Sequence, residues 1–180
     1  PPEVVSDLDA GEAEVSLEGE TRQMSVLFSD VRGFTTISEG LSARELTQLM
    51  NEFLTPITAV IQEHRGTIDK YMGDAVMAFF NAPLPQTDYA LRAVQAAVEM
   101  QRRIAATSRL RAQLQRLQFG VGIATGDAVV GNIGTAQLMN YTAIGVSVTT
   151  GLTLLTRMRC GPSSRAMTRV MASSAALDAQ

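Results

Sequence analysis

The chain has 180 residues, 46% hydrophobic and 18% charged, which is enough apolar material to close one core. A formal net charge of −3 argues against a general nucleic-acid binder, because neutralising a phosphate backbone needs a basic face. A single cysteine, Cys160, and a single histidine, His64, provide neither an internal disulfide nor a zinc set, so a reducing cytosolic setting is expected and metal binding falls to carboxylates.

In chain order, residues 1–22 are acidic, lack aromatics and show no periodicity, and are read as a linker before a domain at 23–180. Met24–Phe28 is a short apolar run that predicts a buried strand ending at Ser29 and Asp30. From Ser42, the residues Leu46, Leu49, Met50, Phe53, Leu54, Ile57, Val60 and Ile61 repeat at helical spacing. Ser42 and Glu45 predict a capping box and Gly66 a stop, while Pro56 inside the pattern predicts a kink or division.

"GTIDKYM" and "DAVMAFF" read as strands of a hairpin turning at Met72-Gly73-Asp74. Leu91, Val94, Val98 and Ile104 predict a second long helix after the loop "APLPQTD". "LQFGVGIATGDAVVGNIG" reads as two strands around Thr125-Gly126-Asp127, and "MNYTAIG" as another. This order predicts an α+β domain, a mainly antiparallel sheet with helices on one face.

Asp30 ends the first strand and Asp74 sits in a later turn; were these strands neighbours, the carboxylates would meet at one sheet edge. Such a pair suits divalent cations bound with a nucleotide, although aspartate is also common in turns for backbone reasons. "VRGFTTIS" places Gly33 and free amides before a helix, which fits either polyphosphate binding or an ordinary strand-to-helix turn. Lys70, the only lysine among fifteen basic residues, lies between Asp69 and Asp74. Alone, it reads as a strand lysine paired with Asp69.

Taken together, "VLFSDVRGFTTISE", "TIDKYMGDAVMAFF" and "VGIATGDAVVGNIG" followed by "YTAIG" resemble the class III nucleotidyl cyclase catalytic domain over roughly residues 20 to 145. The resemblance implies a ferredoxin-like core active as a head-to-tail homodimer, with ATP at the subunit interface and two Mg²⁺ or Mn²⁺ ions. Asp30 and Asp74 match the metal-binding aspartates, and the amides around Gly33 and Phe34 match the phosphate loop. Lys70 matches the base-selecting lysine and Thr142 its partner, in the branch that uses threonine where others use aspartate.

A lysine donates to adenine N1, and a threonine hydroxyl can accept from the adenine amino group. The implied reaction converts ATP to 3′,5′-cyclic AMP and pyrophosphate in signal transduction. It also implies an upstream sensor, membrane-bound in some bacterial relatives whose entry segment "PPEVV" resembles, with this domain in the cytoplasm. His64 is read as a helix-end residue rather than a catalyst.

After Gly145 the chain departs from the family. Thr149 and Thr153 stand where the transition-state asparagine and arginine are expected, and no second lysine follows. Threonine offers neither the cationic fork nor the reach of an amide. The alternative is therefore a weakened cyclase-like domain that dimerises and binds nucleotide.

Overall fold

The computed structural model describes residues 19–106, 118–135, 137–147 and 154–159. Its elements run β1 (Glu20–Arg32), α1 (Phe34–Ser38), α2 (Ala43–Glu63), β2 (Thr67–Met72), β3 (Ala75–Phe80), α3 (Tyr89–Ala106), β4 (Gln118–Thr135), β5 (Leu138–Ser147) and β6 (Leu154–Arg159). The strands form one sheet in the order β2-β3-β1-β4-β5, with β6 also on β4 and every pairing antiparallel. The first four strands with α2 and α3 trace β-α-β-β-α-β, the ferredoxin-like arrangement that the sequence predicts.

Alternation along β1 divides its side chains between two apolar layers. Leu27 and Val31 join the larger core under α2 and α3, with Phe53, Ile57, Ile61, Met100, Ile104, Phe80 and Phe119. Phe53 meets Phe119 edge-on at 5.6 Å between ring centres. Met24 and Val26 face the other way, into a smaller cluster with Phe79, Ala82, Ala128 and Val130, against which Tyr141 and Ala143 of β5 pack. Burial on both faces explains why Met24–Leu27 is buried at every position.

α2 starts at the expected capping box. Ser42 receives the Glu45 amide, and the Glu45 carboxylate accepts from the Ser42 amide at 2.9 Å. Pro56 does not divide the helix, which runs unbroken from Ala43 to Glu63. The missing N–H removes one bond, while Leu49, Phe53, Ile57, Val60 and Ile61 stay buried along one face and hold both halves on the sheet.

The stop at Gly66 has a different cause from the one expected. Arg65 takes the left-handed conformation (φ 60°), and the Gly66 amide reaches the Ile61 carbonyl at 2.8 Å. Gly66 is required by space, since a Cβ there would lie 2.7 Å from Phe80 Cζ.

Three further expectations are corrected. β1 is longer than the apolar run, beginning at Glu20 within the stretch read as linker, because it pairs with β4 from Glu20 to Arg32. The buried face of α3 is Ala93, Ala96, Ala97, Met100 and Ile104, and Leu91 is exposed because it falls outside that helical stripe. Thr125-Gly126-Asp127 is not a turn: β4 continues through it as one strand, held by the pairs Ser25↔Thr125, Met24↔Gly126 and Gln23↔Asp127. A serine–threonine hydroxyl contact of 2.6 Å between Ser25 and Thr125 adds to that ladder.

Candidate active site

The two predicted carboxylates do meet. Asp74 occupies the two-residue turn between β2 and β3, where Gly73 supplies a positive φ of 64°. Its Oδ2 accepts from the Val31 amide at 3.3 Å, which brings it beside Asp30. Burial pushes the Asp74 carboxyl above its ordinary value, its own amide and that of Val31 oppose this, and the Asp30 charge adds to the upward push. Two like charges held together, with no lysine or arginine bridging them among the described residues, form a pair that a cation would stabilise.

Gly33, next after β1, adopts φ 81° and caps the one-turn helix α1, which opens at Phe34. Gly33 and Phe34 thus follow directly on the strand that carries Asp30.

A second pair assembles on β2 and β5. The Thr142 hydroxyl donates to Asp69 Oδ2 at 2.6 Å, and Lys70 Nζ lies 3.6 Å from the same oxygen. Thr142 is buried and the Lys70 side chain is 45% exposed. Cross-strand partners share a face, so Lys70, Met77 and Phe28 form one row over β2, β3 and β1. Asp30, two residues beyond Phe28, continues on that face, away from the helices.

The sequence reading treats Asp69 only as a neighbour of Lys70; its bond to Thr142 is a contact between residues 73 positions apart with no local signal. His64 behaves as read from the sequence: it caps the end of α2, with Nδ1 3.0 Å from the Val60 carbonyl. Thr149 and Thr153 lie outside the described residues, as does Cys160. Among the described residues no helix is long and apolar enough to cross a membrane.

The antiparallel sheet with its β-α-β-β-α-β core is the α+β fold of nucleotidyl cyclase catalytic domains. Residues 18–158 match the family described as adenylate and guanylate cyclase catalytic domain, and the chain belongs to that family. It is 37% identical over 129 residues to Adenylate cyclase 1 of Rhizobium meliloti (strain 1021), covering 71% of this chain and 19% of that protein. It is 34% identical over 153 residues to an adenylate cyclase of Anabaena cylindrica, covering 82% and 28%. The chain therefore spans well under a third of the length of these relatives.

Among solved structures, the guanylyl cyclase Cya2 superposes with a TM-score of 0.65 at 40% identity, covering 73% of this chain and 68% of that one. The adenylyl cyclase CyaB from P. aeruginosa gives 0.65 at 39% identity, covering 72% and 68%. Near-equal likeness to one cyclase of each name leaves base preference to the site residues.

Proposed function

We propose that this domain is an adenylate cyclase, forming 3′,5′-cyclic AMP and pyrophosphate from ATP at the interface of a homodimer. The observation that carries this reading is the pairing of Lys70 with Thr142 across β2 and β5 through Asp69. Lys70 donates to the unprotonated N1 of adenine, and Thr142 accepts from its amino group; guanine, with N1–H and a carbonyl oxygen, mismatches both.

Asp30 and Asp74 are the residues that would hold divalent cations, Mg²⁺ or Mn²⁺. The chemistry such ions supply when bound is a lowered pKa for the ribose 3′-hydroxyl and neutralised phosphate charge. Among the described residues no cluster of three or more His, Cys, Asp or Glu side chains exists, which suits ions completed by water and substrate oxygens. The amides around Gly33 and Phe34 would receive phosphate oxygens. The 3′-oxygen bonds to the α-phosphorus, the bond to the β-phosphate oxygen breaks, and the hydroxyl proton leaves to water.

Phe28 and Met72, exposed apolar side chains on the face that carries Lys70 and Asp30, support a second protomer packing there. In a symmetric dimer, each protomer then gives its aspartates to one site and its lysine and threonine to the other. An upstream sensor in the intact protein, membrane-bound or not, completes the reading of this domain as a cytoplasmic signalling output.

Thr149 and Thr153, in place of an amide and a guanidinium, favour a second reading in which nucleotide binds but turns over slowly. One assay separates the two: cyclic AMP formation from ATP with Mn²⁺, beside an Asp30→Ala control and an ATP-binding measurement. Activity lost in the control supports the cyclase. Binding without turnover supports the weakened domain, and neither binding nor turnover removes both.

A further inference from the structure

We propose that Asp69 is a positioning residue for base selection, fixing the Thr142 hydroxyl as a hydrogen-bond acceptor toward the base while holding the Lys70 ammonium beside it. The inference rests on reading Lys70 and Thr142 as the base contacts.

Regular alternation would turn Asp69 away from Lys70. β2 is irregular at that point: Ile68 pairs with Ala78 and Lys70 with Met77, which leaves Asp69 as the extra residue of a bulge. Bulges re-aim side chains, and here the Asp69 carboxylate meets both Thr142 and Lys70. The Asp69 side chain is only 1% exposed although it lies on an edge strand. A buried carboxylate needs partners, and those it has are Thr142 and Lys70.

Thr142 is the donor in a 2.6 Å contact, a length typical of a hydroxyl bonded to a carboxylate. A threonine hydroxyl has one proton. Once that proton points at Asp69, only lone pairs remain for a ligand. Adenine presents an amino donor to them and guanine presents a carbonyl oxygen, so the carboxylate turns a two-way hydroxyl into a one-way reader. Without Asp69 the hydroxyl rotates freely, donates to guanine as readily as it accepts from adenine, and discriminates little. Lys70 has three N–H groups, so one directed at Asp69 still leaves donors for N1.

The test is competitive binding of ATP and GTP to the 180-residue chain with Mn²⁺, which needs no turnover. Asp69→Ala is expected to lower the ATP-to-GTP affinity ratio about tenfold, the effect of one hydrogen bond. Asp69→Asn, which keeps an acceptor oxygen, should retain most of the ratio. Thr142→Val should weaken ATP binding and leave GTP binding unchanged, because a hydroxyl locked as acceptor gives guanine nothing.

An unchanged ratio in folded Asp69→Ala overturns the proposal. So does a Thr142→Val chain that loses GTP affinity as much as ATP affinity, and this arm decides the matter if Asp69→Ala does not fold. Failure of the underlying reading looks different: the unmodified chain itself shows no preference for ATP, and the positioning role goes with it.

Discussion

Replacing Lys70 with glutamate exchanges an attraction for a repulsion beside the buried Asp69 carboxylate. At the 3.6 Å separation of the native pair, two unit charges interact by roughly 1.2 kcal/mol at the dielectric constant of water and roughly 4.6 kcal/mol at an effective value of about 20. Lys70 is half exposed and can swing toward solvent, so the lower end governs, and Lys70→Glu should cost about 2 kcal/mol of stability. Urea denaturation monitored by circular dichroism measures this directly.

The specific claim is coupling. In an Asp69→Asn background the same Lys70→Glu change should cost less than half as much, because the facing charge is gone. Equal losses in both backgrounds would refute the electrostatic argument and leave Lys70 as a solvated strand residue. Combined with Thr142→Cys, Lys70→Glu should also move nucleotide preference toward GTP, since the carboxylate accepts from guanine N1–H.

Asp74→Asn should abolish Mn²⁺-dependent ATP binding, read by calorimetry, yet stabilise the metal-free chain slightly at neutral pH. The Asp74 carboxyl is pushed up, mainly by burial, so folding favours its protonated form. That stabilisation is complete below the ordinary carboxylate range and is lost as pH rises through the raised value; the advantage of Asn should therefore shrink on acidification. A variant no more stable than the native chain at pH 7 counts against this account. Ser42→Ala removes the hydroxyl half of the capping box and should destabilise α2 by about 1 kcal/mol in a denaturation curve. Gly66→Ala forces a methyl to within 2.7 Å of Phe80 and 2.8 Å of Ile61, and should cost about 1–3 kcal/mol with a matching fall in Tm.

Local rules settled much of the architecture. The capping box at Ser42, the apolar stripe of α2 and the Gly73-Asp74 turn involve residues within a few positions of one another, so the sequence carries their whole cause. The family was likewise legible, because the long motifs that contain Asp30, Asp74, Lys70 and Thr142 recur in family order.

Long-range pairing decided the rest. Thr125-Gly126-Asp127 has turn composition, yet thirteen consecutive partners on β1 keep β4 extended, and no local property of a tripeptide outweighs that ladder. Pro56 likewise leaves its helix undivided, with the buried face holding both halves on the sheet. Asp69 shows the limit most clearly: its contact with Thr142, 73 residues away, arises at a bulge created by how β2 registers on β3. The sequence determined which polar groups stand on these strands, and only the tertiary pairing of strands brought the Thr142 hydroxyl to the Asp69 carboxylate.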